Sequence, residues 1–452
     1  MPPVAGLTYP ERVERLRGRY AAVPAGTPVR LAKRTSNVFR ARQRTAAPGL
    51  EVAMFDGVLS VDAAARTADV MGMTTYEHLV DATLPYGLMP LVVPQLKTIT
   101  LGGAVTGLGI ESSSFRNGLP HESVLDMDVL TGDGRVVTAS ATNDHADLYH
   151  GFPNSYGTLG YALRLRVELE PTRSFVHLRH ERHRDAAAYF ARVAEVCATR
   201  AADFVDGTVF GPDELVLSLG TFADQAERTS DYTGMDIYYR SLQQRTDDDL
   251  TVRDYLWRWD TDWFWCSRGV GAQNPRIRRL WPKRWLRSDV YWKMVAFENR
   301  YGVMRRLDRL RGRPEREAVV QDVEVPVEHA AEFLAFFLRE IPILPIWVCP
   351  VRLRYRARPW DLYPLDPDTT YVNFGFWSTV PLARGETDGT HNRLIERVVG
   401  ELGGRKSLYS TAFYDEGEFW QIYNGPAYQR LKQRYDPDRR LLDLYAKCVQ
   451  RR

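Results

Sequence analysis

The chain has 452 residues, 44% of them hydrophobic and 26% charged, with a formal net charge of +3. That is more chain than one hydrophobic core accommodates, so at least two domains are expected, with the composition of a globular protein. No apolar run reaches the roughly 18 residues of a membrane span, and no apolar leader opens the chain. The four cysteines, Cys197, Cys266, Cys349 and Cys448, form no C-x-x-C pair, which argues against a zinc site or a disulfide framework.

Residues 1–25 read as a short helix and a Pro/Gly linker. The segment VRLAKRTSNVFRAR begins as a strand and breaks at Thr35-Ser36-Asn37, a small polar turn. Gly57 to Val70 reads as two short strands. Thr74 and Glu77 have the spacing of a capping box and open a helix that Pro85 ends.

The stretch from Leu96 to Ser140 is the most distinctive. Gly102, Gly103, Gly107 and Gly109 are followed by Ile110, Glu111, Ser112, Ser113, Ser114 and then Gly118. Glycine lets backbone amides approach a ligand that a Cβ would hold off, and serine adds short donors. Val124–Val137 reads as a hairpin closed by Gly132-Asp133-Gly134. A P-loop is excluded because the stretch holds no lysine after Lys97. A Rossmann fingerprint is excluded because serines and a turn, not a helix, follow Gly109. The pattern predicts a cradle for a large phosphate-bearing ligand, with an ordinary glycine-rich turn as the alternative. A second small-residue turn, from Asn154 through Gly157 and Thr158 to Gly160, precedes an alternating strand that Pro171 closes.

From about 175 to 400 the pattern is strand, helix (185–200) and a hairpin through Gly211-Pro212-Asp213. Then come a strand (319–327), a helix (328–341), strands at 346–354 and 370–378, and a helix (391–402). Two such units predict an antiparallel sheet backed by helices. Between them lies 255–316, with seven of the eleven tryptophans between Trp257 and Trp292. Arg276–Arg316 holds fourteen Lys/Arg against four Asp/Glu, a balance of +10 that leaves −7 for the rest of the chain. No nucleic-acid module is present, so nucleic acid is not an expected partner. Tryptophan beside cations predicts contact with an anionic membrane surface, against the plainer reading of core tryptophans and solvated arginines.

GIESSS, then DxxVLTGDG, then HADLYHGFPNSYGTLGYALRLRVELEP closely resemble the FAD-binding domain of the vanillyl-alcohol-oxidase and p-cresol-methylhydroxylase superfamily, in its delta-24-sterol reductase-like branch. A bacterial type within that branch reduces a methylene group on a fatty-acyl chain. The resemblance implies an α+β fold with three parts. Residues 1–175 would be a two-part FAD-binding domain. Residues 176–403 would be an α/β cap with an antiparallel sheet and the aromatic-basic insertion 255–316. Residues 404–452 would return to the FAD domain.

By position in the family, Thr35, Ser36 and Asn37 would hold the pyrophosphate of FAD. Gly102, Gly103, Gly107, Gly109, Ile110, Glu111, Ser112, Ser113, Ser114 and Gly118 would form the cradle. Gly157, Thr158 and Gly160 would hold the ribityl and ring side. The first loop lacks the histidine that often carries flavin covalently, so the FAD is expected to be non-covalent. Trp420, Tyr423 and Asn424 match tail residues that lie near the flavin ring.

The implied reaction is saturation of a C=C bond in a hydrophobic lipid, most specifically a methylene-branched fatty-acyl chain on phospholipid. NADPH is the expected electron donor, meeting the flavin in the substrate cleft. The alternative is oxidation of an alcohol such as a lipid-linked sugar; a lipid-binding module with a vestigial flavin site is a third reading. Reduction needs an acid near the second alkene carbon. Glu111, Tyr149, Tyr414 and Glu418 qualify, and spacing does not choose among them. Glu111, Tyr414 and Asn424 form the catalytic set, Glu111 equally suiting a cofactor role. Expected partners are the lipid substrate, an anionic membrane surface through 255–316 and a lipid methyltransferase, with oligomeric state left open. The expected location is the cytoplasm, at the inner face of the membrane.

Overall fold

Two β-sheets, one in each half of the chain, organise the computed structural model, which describes residues 6–33, 39–40, 49–303, 306, 310–357 and 360–451, without the side chain of Asn299. A short parallel pair, β1 (Arg30–Ala32) and β2 (Gly49–Glu51), follows the first helix, Tyr9–Ala21. The first sheet is built from β3 (Val58–Asp62), β4 (Thr67–Met71), β5 (Leu88–Pro90), β6 (Val124–Leu130), β7 (Val136–Ser140) and β8 (Tyr161–Pro171). Its order is β3-β4-β8-β6-β7, with β5 also on β8. The predicted hairpin is present, with Asp126 opposite Ser140 and Leu130 opposite Val136.

Alternation along β8 fixes its register. Leu163, Leu165, Val167 and Leu169 are buried. Arg164 points the other way, reaching Asp126 at 2.7 Å and Asp128 at 2.9 Å. The helix Tyr76–Thr83 starts one residue later than the capping-box spacing predicts. Thr75 Oγ1 accepts from the His78 amide, while Thr74 Oγ1 is occupied across the turn by Gly57.

The second sheet has eight strands, all antiparallel: β9 (Phe175–His183), β10 (Phe204–Gly211), β11 (Glu214–Ala223), β12 (Asp247–Thr251), β13 (Arg316–Pro326), β14 (Ile346–Val351), β15 (Tyr371–Pro381) and β16 (Arg405–Lys406). Their order is β12-β9-β11-β10-β14-β15-β13-β16. Successive strand residues face opposite sides. One face carries Val205, Val209, Val319, Val323, Val325, Val348, Phe374 and Phe376. The helices Ala186–Thr199, Ala330–Glu340 and Thr390–Glu401 pack on that face. Each aromatic or branched side chain buried there contributes about 1.5–3 kcal/mol. The opposite face, with Asp206, Trp347, Cys349, Asp322, Glu324, Asn373 and Trp377, turns toward the N-terminal sheet, whose core it joins through Trp347 and Cys349.

After β16 the chain crosses back. Lys432 Nζ donates to the carbonyl of Thr158 at 2.8 Å and pairs with Asp436 at 2.6 Å, both buried. The expectation of a membrane-facing 255–316 is corrected for its first part. Trp257, Trp259, Trp263 and Trp265 are buried in the core between the two sheets. Among the described residues no helix is long and apolar enough to cross a membrane.

Candidate active site

The glycine stretch is helical where the sequence suggests a turn. Leu101–Gly107 forms a helix capped by Thr100, whose Oγ1 accepts from the Gly103 amide at 3.2 Å. The amides of Leu101, Gly102 and Ala104 donate to the carbonyls of Thr74, Gly72 and Thr100. A Cβ on Gly102 would lie 2.7 Å from the Gly72 oxygen. Gly102 therefore serves close packing of the helix on the turn after β4, a Cβ on Gly103 would meet the capping Thr100 Oγ1 at 2.8 Å, and this helix end is occupied by the chain itself.

The strained backbone lies at the other end. Leu108 (φ 62), Asn154 (φ 62) and Tyr156 (φ 49) are non-glycine residues in the left-handed region. Such strain persists where surrounding contacts impose it, and it gathers at binding sites. Tyr156 ties the two turns together, its amide donating to Thr106 O at 3.0 Å and its hydroxyl to Gly107 O at 2.5 Å. A Cβ on Gly107 would sit 3.1 Å from the Tyr156 ring, and one on Gly109 would sit 3.1 Å from both Pro94 and Pro120. Gly118, Gly157 and Gly160 adopt positive φ; at Gly160 a Cβ would also lie 2.5 Å from Val129 Cγ1. Ile110 is buried, and Ser113 and Ser114 are spent locally: Ser113 Oγ donates to Leu91 O, and Ser114 Oγ accepts from the Glu111 amide.

Asn154 Oδ1, Ser155 Oγ and Arg40 Nε are buried without a hydrogen-bond partner among the described residues. Orphan polar atoms beside strained turns fit the polar parts of FAD. Thr35, Ser36 and Asn37 lie outside the described residues. Their neighbour Arg40 stacks over the Tyr156 ring at 4.5 Å and donates to Leu408 O, placing a cation where the turns and the C-terminal segment meet.

Glu111 and Ser112 join a buried ion cluster that links this cradle to the cap. Glu111 Oε1 accepts from Ser112 Oγ at 2.6 Å and from Arg258 Nη2 at 3.3 Å. The same nitrogen donates to Asp206 Oδ2 at 2.9 Å, which also accepts from the indoles of Trp259 and Trp347, each at 3.2 Å. Ser112 Oγ meets the Tyr255 hydroxyl at 2.8 Å, and Arg258 lies 3.9 Å over the Tyr255 ring. Burial raises the Glu111 carboxyl above the ordinary range, and Arg258 opposes that rise. Among the sequence candidates, Glu111 is thus held inside a structural cluster.

The cap supplies two acids that sequence reasoning missed. Asp322 and Glu324 stand on the β13 face turned toward the cradle. Burial pushes Asp322 up to about 7 and Glu324 up to about 8, with the Asp322 charge adding to the rise at Glu324. Asn373 Nδ2 lies 3.5 Å from Asp322 Oδ1, the Tyr409 hydroxyl hydrogen-bonds the same carboxyl, and Tyr363 donates to Glu324 Oε2. Glu324 Oε1 and Asn373 Oδ1 are buried without hydrogen-bond partners among the described residues. Trp377 Nε1 donates to the Tyr409 hydroxyl at 2.8 Å. The site reaches the cradle through Ser407, whose amide donates to Asp322 O at 3.1 Å and whose Oγ lies 3.5 Å from the Tyr156 hydroxyl. Asp322, Trp377, Tyr409 and Tyr156 all keep partial exposure although they lie between the sheets, so they line a space and do not fill one. The available signal was in VVQDVEVP: two carboxylates on one face of a strand whose other face carries Val319, Val323 and Val325.

The remaining candidates lie apart. Tyr149 donates to Val124 O at 2.5 Å inside the N-terminal sheet. Tyr414 is buried 6.2 Å from the Tyr423 ring, with its hydroxyl pushed well up by burial. Tyr423 donates to Lys406 O at 2.8 Å. Glu418 is exposed on the helix Glu416–Ile422. Asn424 (φ 51) caps the helix Gly425–Tyr435 by accepting from the Ala427 amide, and Trp420 stacks on Tyr428 at 4.8 Å.

Residues 4–140 match the family described as FAD binding domain. The chain is similar to the Delta(24)-sterol reductase of Homo sapiens, 26% identical over 391 residues that cover 83% of this chain and 73% of that protein. It is similar to the Delta(24)-sterol reductase of Arabidopsis thaliana, 24% identical over 445 residues that cover 88% and 76%. Cytokinin dehydrogenase 7 of Oryza sativa subsp. japonica is 32% identical over 150 residues, 32% of this chain and 28% of that protein. The chain is an FAD-dependent oxidoreductase.

Proposed function

We propose that this oxidoreductase reduces an isolated C=C bond in a hydrophobic lipid, a methylene-branched fatty-acyl chain on a phospholipid, with NADPH as the electron donor. The similarity to Delta(24)-sterol reductases supports reduction as the reaction class. The observation that carries the reading is the pair Asp322 and Glu324 on the cap face opposite the cradle, which burial pushes up to about 7 and about 8.

FAD, when bound and reduced, would supply the hydride equivalent that one alkene carbon takes. The other carbon must take a proton, and an alkene with no polarising group gives no help. Glu324 or Asp322 provides that proton from its carboxyl O–H, and the ring of Trp377 with its neighbours Phe264 and Trp347 offers an apolar wall for the chain. Tyr363 and Tyr409 hold the two carboxyls in place. Arg40, Asn154, Ser155 and Tyr156 would bind and orient FAD.

The test is anaerobic addition of NADPH to the purified yellow protein, followed by a methylene-branched phospholipid. Bleaching by NADPH, return of colour with the lipid and a product heavier by two hydrogens are expected. Peroxide release with an alcohol substrate, and no reaction with the alkene, would replace this reading with the oxidase.

A further inference from the structure

The second part of the insertion is unlike the first. Ile277, Leu280, Trp285, Met294, Phe297, Tyr301 and Val303 are all exposed, Leu280 at 83% and Phe297 at 55%. They lie on consecutive short elements: the helix Pro275–Leu280, the turn Lys283–Trp285 and the helix Ser288–Tyr301. At about 100° per residue, Met294, Phe297 and Tyr301 fall within an arc of roughly 60°, and Lys293 and Arg300 border it on one side. The flank of that helix away from the cations is the anchored one. Tyr291 is buried, donates to Thr261 O at 3.0 Å and packs 6.3 Å from Trp281.

The base of the segment is fixed to the rest of the molecule. Arg278 pairs with Asp262 at 2.7 Å, Arg287 with Glu77 at 2.9 Å, and Ser288 donates to Asp260 at 2.6 Å. The outer cations Arg276, Arg279, Arg284, Lys293 and Arg300 are exposed between the apolar side chains. Scattered single apolar residues are ordinary on a surface, but this many on one anchored segment are not.

We propose that residues 276–303 form a docking surface for an anionic bilayer, with Leu280, Trp285, Met294 and Phe297 entering the interface and the flanking arginines meeting lipid phosphates. The argument is charge complementarity: residues 276–303 hold eight Lys/Arg against two Asp/Glu, a balance of +6 in a chain that is otherwise −3, with apolar side chains at the outer edge. A tryptophan with a basic neighbour over its ring, as Arg284 lies 5.7 Å from Trp285, suits the headgroup level. The proposal rests on the lipid reading above for its purpose but not for its test. Docking would bring a membrane-borne acyl chain to the cap without its leaving the bilayer.

Holoenzyme would be sedimented with vesicles of phosphatidylcholine alone or mixed in equal parts with phosphatidylglycerol. Binding at least about tenfold tighter to the anionic vesicles, and weakened at high salt, is expected. Leu280→Asp with Phe297→Asp should abolish it while flavin content and thermal midpoint stay unchanged, because both side chains are exposed. Arg279→Gln with Arg284→Gln should reduce it in parallel. Equal binding to both vesicles, or unaltered binding by the Asp variant, would overturn the proposal. So would a dimer that the Asp variant splits in protein that binds no vesicle, since the occupant would then be a second copy. Failure of lipid reduction with vesicle binding intact would count against the proposed function alone.

Discussion

Glu324 stands two residues from Asp322 on β13, on the same side of the strand, and the charge of Asp322 raises the proton affinity of Glu324 beyond what burial does. If these are the acids of the reaction, turnover has a defined pH dependence. The protonated donor is required, so turnover should hold steady below about 7 and fall as pH rises through about 8. Glu324→Gln and Asp322→Asn, made singly, identify the donor: one lowers turnover by about 100-fold or more and the other shifts the profile. Measuring the rate of flavin reoxidation by lipid from pH 6 to 9 checks this. A profile shifted by Glu111→Gln and by neither cap variant would return the role to Glu111.

The same groups affect stability. A carboxyl whose proton affinity is raised on folding binds more protons in the folded chain than in the unfolded one. Glu324, raised from 4.5 to about 8, therefore contributes most below 4.5 and loses that contribution as pH rises to about 8. The loss is on the order of a few kcal/mol. Glu324→Gln should flatten this part of the profile, so that the variant gains on the wild type from pH 5 to 8 in chemical denaturation. Parallel profiles for the two proteins would remove the raised carboxyl from the account.

The order of strands and helices from 175 to 400 was legible because periods of two and 3.6 are imposed on each element by one covered face. Six of the sheet's eight strands follow from it; the edge strands β12 and β16, five and two residues long, were not read. The use of its second face was not legible. Whether Asp322 and Glu324 meet water or another layer depends on the N-terminal unit, which local pattern does not reveal. The tryptophans of WRWDTDWFW misled for a related reason. They sit on successive turns, with Trp263 and Phe264 at positive φ, and a run without periodicity gives no face to bury. Gly102 and Gly103 were legible as residues that need close approach, but the approaching atoms are the Gly72 carbonyl and Thr100 Oγ1.

Arg258 holds two buried carboxylates, Glu111 beside the cradle and Asp206 on β10 of the second sheet. Arg258→Met would leave Glu111 and Asp206 without their cation and should cost about 3–5 kcal/mol in unfolding free energy. Adding Glu111→Gln and Asp206→Asn to it should restore more than half, because the desolvation cost leaves with the charges. Denaturant titration of the three proteins measures both steps. An Arg258→Met protein as stable as the wild type would show the cluster to be solvated.

Tyr156 joins three parts of the site: its hydroxyl donates to Gly107 O, lies near Ser407 and closes the ring over which Arg40 stacks. Tyr156→Phe keeps the ring, its packing against Gly107 and the cation contact, and removes only the hydroxyl. The Gly107 carbonyl then loses its donor, at about 1–3 kcal/mol. Because Gly107 ends the helix that leads into strained Leu108, this loss loosens the turn expected to carry FAD. The dissociation constant for FAD should rise about tenfold or more, measured by flavin fluorescence on dilution, with a much smaller change in the stability of the flavin-free protein. The FAD should leave fully on acid denaturation of either protein, since the attachment is non-covalent. Equal FAD affinity in the two proteins would place the flavin away from the Gly107–Tyr156 junction and would remove the link between the cradle and the cap acids.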